Sequence, residues 1–337
     1  MGGVRGNREQ NSGAVRAWMA FQAVRGCARL SSSMPTVRIA TFNVENLFAR
    51  FQFKSNTDAD AAVKDGWRSD QTKFAVNDEE SKHITGALLN DVDADILCLQ
   101  EVEGLDVLKR FRSQYLGGRR AYPYGLVIDG NDPRRIDVAV LSKLPIVSAR
   151  SWQHLPYNRG YVFSRDCLEC DVEVPDGSRL TVYNNHFKSM IGGRGHTKPK
   201  RVRQSKAVRE LIKGRFGTRA GQNGNQFVVC GDFNDYRGTG SGITALTDWA
   251  EVQDMVRRLP QGEEWTHHWS RQDEYSQLDY LLLSDSLARA NAGVKPIIWR
   301  DGLPWRADRA GETRYEGVGP SNPKASDHCP VSFDLAF

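Results

Sequence analysis

Apolar positions in this chain come in short runs of five to eight residues, each closed by a polar side chain. The runs are Val37–Val44, Asp95–Val102, Ile136–Leu141, Leu180–Phe187, Gln226–Cys230, Leu278–Leu283 and Pro330–Leu335. Their length and their content of Val, Ile, Leu and aromatic residues predict β-strands. Three stretches between them read as helices: Asp78–Leu89, Arg201–Phe216 and Ile243–Leu259. In the second of these, Val208, Leu211 and Ile212 form an apolar stripe among Lys and Arg. Strands interleaved with helices predict an α/β or α+β architecture in which helices cover the sheets.

The polar residues at the ends of these runs carry the chemistry. Asn43 follows VRIATF, Glu101 follows DILCLQ, His186 follows LTVYNN, and Asp232 and Asn234 follow FVVCG. Asp279 opens the run in QLDYLLLS, and Asp327 with His328 opens the one in SDHCPVSFDL. A single such residue is ordinarily a turn or strand cap. Many of them, all Asn, Asp, Glu or His, predict convergence at one edge of a sheet, because the same groups inside a strand would be buried at a cost. Asn43, Glu101, Asp232, Asn234 and Asp327 offer hard oxygen donors that suit Mg²⁺ or Mn²⁺ rather than zinc. His186 and His328 are left for phosphate contact or proton transfer, and Asp279 is placed to fix an imidazole tautomer. No GxSxG, Walker A or GxGxxG motif is present, which excludes a nucleophile elbow and a nucleotide-cradling loop.

Taken in order, TFNVENLF, LQEVEG, NNHFKS, GDFND, QLDYLLLS and SDHCPV resemble the motifs of the endonuclease/exonuclease/phosphatase (deoxyribonuclease I-like) superfamily, from residue 37 to the C-terminus. The resemblance implies a four-layer sandwich of two stacked, mainly antiparallel sheets flanked by helices. It implies a metal-dependent phosphoric ester hydrolase in which water attacks phosphorus. By position, Asn43, Glu101 and Asp327 resemble the metal site. Asp232 resembles the group that positions or deprotonates the water, and Asn234 holds phosphate or metal. His328 resembles the phosphate-side imidazole with Asp279 as its partner, and His186 a second one. Asp137 is the candidate partner of His186, and Asn184 and Lys188 flank it as candidate substrate contacts. A silent binding module would have lost part of this set, which is complete.

The chain has 337 residues and a formal charge of +5, but residues 1–33 hold five Arg and one Glu, so the rest is close to neutral. The basic pI is therefore poor evidence for nucleic-acid binding by the body. A local feature speaks more directly: Lys188 to Arg209 holds eight Lys or Arg and no acidic residue, with Gly192, Gly193 and Gly195 marking a flexible start. Such a segment either tracks a phosphate backbone or is a solvated loop and helix face. It favours a nuclease acting on DNA or RNA over a phosphatase of small sugars, lipid headgroups or nucleotides. Trp299, Trp305 and Tyr315, interleaved with Arg between residues 297 and 319, either stack on bases or pack the loop onto the body.

Residues 1–33 read as a disordered leader or a misplaced start, with the catalytic domain spanning 34–337; removing the leader is expected to leave melting temperature and activity intact. No apolar run approaches the ~20 residues needed to span a bilayer. The leader lacks a clear signal-peptide core. A monomer in the cytoplasm with reduced cysteines is the expectation. Cys167 and Cys170 form a lone CxxC without the second pair that a zinc site requires.

Overall fold

The computed structural model describes residues 35–49, 51–53, 74–76 and 78–337. The leader at 1–33 lies outside them. Twelve strands form two mixed six-stranded sheets. In chain order they are β1 (Thr36–Leu47), β2 (Ile96–Val102), β3 (Tyr124–Ile128), β4 (Asp137–Ser142), β5 (Ile146–Ser151), β6 (Cys167–Glu173), β7 (Arg179–His186), β8 (Phe227–Asp232), β9 (Val252–Asp254), β10 (Asp279–Ser284), β11 (Ile297–Ile298) and β12 (Val331–Ala336). The first sheet runs β11-β12-β1-β2-β4-β3 and the second β9-β10-β8-β7-β6-β5. Each contains one parallel pair, β1 with β2 and β7 with β8, in otherwise antiparallel surroundings. Helices α1 (Glu79–Val92) and α2 (Leu105–Tyr115) cover the first sheet and α3 (Arg194–Phe216) the second.

Strand alternation explains why the runs read as continuously apolar. Side chains point to opposite faces in turn, and here both faces are buried. Val37, Ile39, Cys98, Val140, Val182, Val228 and Leu281 fill the layer between the sheets. Phe42, Leu97, Leu99 and Leu141 meet α1 and α2, while Tyr183, Phe227, Val229 and Leu282 meet Val208 and Ile212 of α3. The four-layer sandwich expected from the sequence is therefore what forms.

Three readings need correction. The helix expected over Ile243–Leu259 is one helical turn (Thr244–Thr247), the edge strand β9, and a 3₁₀ turn at Met255–Arg258. Its apolar residues recur at helical spacing, but pairing of Val252 with Ser284 at the sheet edge overrides that propensity. Helix α3 starts at Arg194, so most of the segment expected as a flexible loop is helical. Helix α2 has no counterpart among the expected elements; only Leu108 and Phe111 of its apolar residues are fully buried. Cys167 and Cys170 lie on opposite faces of β6, one in the helix-side core and one between the sheets, both buried with free thiols. Among the described residues no helix is long and apolar enough to cross a membrane.

Candidate active site

The two parallel pairs place the site. Because β1 and β2 run the same way, their C-terminal ends emerge together, with Asn43 opposite Gln100. The register then slips at Glu101, which has φ 67°, on both sides of β2. An extra residue of this kind re-aims its side chain. In the second sheet His186 stands opposite Asp232, and Asp279 at the start of β10 pairs with Asp232 from the other side. Gly231 permits that juxtaposition: it has φ 125°, and a Cβ there would sit 1.8 Å from the Asn185 carbonyl oxygen. Ser326 Oγ donates to the Asn43 carbonyl at 2.7 Å and accepts from His328 N at 3.0 Å, drawing Asp327 and His328 onto the first sheet.

Asp232 is the hub. Its Oδ2 accepts from Asn234 Nδ2 at 2.7 Å and from Asn43 Nδ2 at 3.1 Å, and its Oδ1 from Asn234 N at 2.8 Å. His186 Nε2 lies 3.4 Å from Asp232 Oδ2 and 3.7 Å from Glu101 Oε1. His328 Nδ1 donates to Asp279 Oδ2 at 2.8 Å, and the same oxygen accepts from Thr266 Oγ1 at 2.7 Å. That leaves His328 Nε2 facing Asp232 and Asp327, 3.9 Å from each. Three site residues, Glu45, Glu101 and Asn234, hold positive φ without being glycine; such strain collects at functional sites.

The two imidazoles are held in opposite states. Burial works against the charge of His328, but Asp279 and Asp232 outweigh it and raise the pKa well above the ordinary value. Burial, reinforced by Arg165, lowers that of His186. Burial thus favours the uncharged form of His186, and the flanking carboxylates favour the charged form of His328. Asp232 is pushed up by burial and by neighbouring Asp279.

Glu101 is likewise pushed up by burial and by Asp327. Glu45, paired to Lys324 at 2.8 Å, is raised by the same two causes to about 7. The oxygens of these carboxylates are the donors a hard divalent cation takes. Among the described residues, the side chains whose ligand atoms lie within 4.8 Å of one another are His267, Asp327 and His328, and Asp232, Asp279 and His328. Asn43 has its amide nitrogen toward Glu101 and Asp232 and its oxygen accepting from Glu45 N at 3.0 Å.

Asn43, Glu101, His186, Asp232, Asn234, Asp279, Asp327 and His328 are thus brought together. The remaining candidates are not. Asn184 is fully buried between the sheets, accepting from Gln100 Nε2 at 2.8 Å and donating to the Leu99 and Ala139 carbonyls. Asp137 accepts from Gly130 N at 2.8 Å, and His186 Nδ1 has no partner, so the pairing expected between them is not formed. Lys188 sits half-buried on the rim. Trp299 and Tyr315 pack on the helix-side core, so of these three aromatic residues Trp305 alone is exposed.

Three site residues lay outside the sequence reading. Glu45 lies two residues after Asn43, at the close of the Val37–Val44 run. Arg165 is buried, donates to the Phe187 carbonyl at 3.2 Å and lies 3.3 Å from Asp132; nothing in its surrounding sequence marks it. His267 lies in the short hairpin strand His267–Trp269, its ring 4.6 Å from that of His328 and its Nε2 3.9 Å from Asp327. Its position one residue after Thr266 was a usable signal only once Thr266 was known to hold Asp279.

Two six-stranded sheets stacked between helices, with carboxylates, amides and two unlike imidazoles at one end, define a phosphoesterase of the sandwich type. A model of the Endonuclease/Exonuclease/phosphatase family matches residues 40–328, and the chain belongs to that family of phosphoric ester hydrolases. Among solved structures it is similar to a mannosyl-6-phosphatase from Bacteroides thetaiotaomicron, with 20% identity and TM-score 0.56 over 89% of this chain and 100% of that one. It is also similar to a humanized D. rerio TDP2, with 15% identity and TM-score 0.56 over 90% and 99%. The human Nocturnin catalytic domain shows 17% identity and TM-score 0.56 over 90% and 96%. No curated protein sequence matches the chain significantly.

Proposed function

We propose that this phosphoesterase is a divalent-metal-dependent nuclease that hydrolyses phosphodiester bonds of DNA or RNA. One observation carries the reading: Arg165, Arg134 and Lys188 form a basic side of the site that acts on His186, next to the carboxylates of Glu101, Asp232 and Asp327. The carboxylates suit Mg²⁺ or Mn²⁺ and the basic side an anionic backbone. When bound, the ion supplies charge neutralisation at the phosphoryl oxygens. Asp232, with its pKa raised, orients the attacking water and takes its proton. Asn234 holds that carboxylate. His186 donates from Nε2 to a non-bridging oxygen, and His328 gives its proton to the departing alkoxide while Asp279 keeps the ring in place. The water oxygen–phosphorus bond forms as the bond to the leaving oxygen breaks, giving a monoester and an alcohol.

A small phosphorylated substrate is the second reading. It is favoured by the internal engagement of Arg194 and Arg201 with Asp235, which shortens the basic wall. Nicking of supercoiled plasmid with Mg²⁺ or Mn²⁺, against EDTA and Asp232→Asn controls, separates the two. Metal-dependent relaxation lost in the variant supports the nuclease. Intact plasmid, from protein that cleaves p-nitrophenyl phosphate, moves the assignment to the small substrate.

A further inference from the structure

The basic side of the site contains more positive charge than the chemistry at the scissile phosphate uses. Arg134 meets both oxygens of Asp132 at 3.0 Å, and Arg165 lies 3.3 Å from one of them. Arg165 also donates to the Phe187 carbonyl, which accepts from Asn234 Nδ2 as well, both at 3.2 Å. The cluster therefore abuts the group that holds Asp232. The next residue, Lys188, is clamped on α3 through Gln204 Oε1 (2.9 Å from Lys188 N) and Arg201 Nη1 (3.2 Å from the Lys188 carbonyl). Lys200 precedes Arg201 on that helix.

Among the described residues, neither the Lys188 nor the Lys200 ammonium makes a hydrogen bond or ion pair. Both are half-buried. Burial and then Arg165 lower the pKa of each, and Lys188 adds to the effect on Lys200. Asp132 is the carboxylate that acts on both lysines, against Arg165 and further Lys and Arg around each. Like charges held together and partly desolvated destabilise the fold unless an anion joins them. Beyond Lys200 the wall continues to Arg203, which stacks over Tyr157 at 4.3 Å. The hairpin Pro156–Tyr161 there exposes Tyr157 and Tyr161.

We propose that Lys188, Lys200 and Arg134 form a second anion subsite that takes the phosphate neighbouring the scissile one, so that the enzyme selects a nucleic-acid strand over a substrate with a single phosphate. The subsite rests on the nuclease reading and extends it to the substrate's second charge. The exposed tyrosines beside Arg203 add a surface on which a base stacks.

Titration calorimetry of the full chain in the Asp232→Asn background, with thymidine 3′,5′-bisphosphate and thymidine 5′-phosphate as probes, tests it. The bisphosphate is expected to bind at least about tenfold more tightly, as one or two charge-assisted contacts provide. Lys188→Ala with Lys200→Ala should collapse that ratio to near one, and Lys188→Arg with Lys200→Arg should keep it. If the alanine pair folds poorly, Lys200→Gln alone is read in the same way and should lower the ratio several-fold. Equal affinities in the parent protein, or a ratio untouched by removing the lysines, overturns the subsite. This outcome is separate from that of the plasmid assay. Strands cut without a bisphosphate preference sink the subsite alone, whereas a preference in a protein that cuts no strand sinks the nuclease and leaves the subsite standing.

Discussion

At the residue scale, Asp232 and His328 divide the work, and their environments show how. Asp232 accepts three hydrogen bonds from Asn43 and Asn234, which fix it without neutralising it. His328 owes its charge to Asp279, and its free Nε2 is the only one of its nitrogens facing the cleft. Removing one donor aimed at developing charge typically costs about 10²–10³ in turnover. Asp232→Asn and His328→Ala are each expected to reduce kcat by at least that much while the urea midpoint stays within the folded range. Near-parental kcat in both would withdraw the assignment. These residues were legible because each ends or opens an apolar run and the runs keep a fixed order. Arg165 and His267 were not, since they come from connecting segments whose place against the sheets no local pattern encodes. Asn184 misled for a related reason: it shares a strand face with His186, but two residues back from the strand end it is covered by the first sheet, so its amide meets Gln100 and the Leu99 and Ala139 carbonyls instead of the cleft.

At the element scale, α3 is positioned by charge as much as by its apolar stripe. Arg201 and Asp235 are both fully buried, with Arg201 Nε 2.9 Å from Asp235 Oδ2, and Arg194 reaches Asp235 Oδ1 at 2.7 Å. This anchorage explains why the helix begins seven residues before the expected start: tertiary ion pairs override the Gly-rich local signal. Breaking a buried pair leaves one charge uncompensated, at a cost of roughly 3–5 kcal/mol. Asp235→Asn is expected to lose stability on that scale in urea unfolding at neutral pH. The pH dependence has a definite sign. Burial alone would raise the Asp235 pKa, but the bonds from Arg201 and Arg194 bring it below the ordinary carboxylate value. Its contribution is therefore complete above about pH 4, the unfolded value, and fades as pH falls through the lower folded one. The gap between parent and variant should narrow on acidification below about pH 4. A constant gap would mean that packing, not the charge, explains the loss.

At the scale of the whole molecule, the site exists only because the two sheets are stacked in one register. Asn43 and Glu101 come from the first sheet, and His186, Asp232 and Asp279 from the second. The general architecture was readable from the runs and their order; the register between sheets was not, because it is set by contacts between residues far apart in the chain. Asn184 supplies part of that register. From the second sheet it donates to the Leu99 and Ala139 carbonyls of the first, and it accepts from Gln100, which reaches Thr41 Oγ1 at 3.1 Å. Gln100 immediately precedes the slip that aims Glu101. Asn184→Leu keeps the branched outline but takes a donor from the buried Leu99 and Ala139 carbonyls and an acceptor from the Gln100 amide, which keeps Thr41 and the Cys98 carbonyl; such a loss costs about 1–3 kcal/mol for an unmet buried polar group. The variant is therefore expected to unfold at lower urea, and, since Glu101 and Asp232 lie across the same seam, to lose kcat as well, though no atom of Asn184 faces the cleft. Pairing it with Gln100→Leu removes the partly met amide and should recover part of the stability. If stability returns while kcat does not, the polar link holds the sheets in catalytic register; if both return together, apolar packing alone sets it.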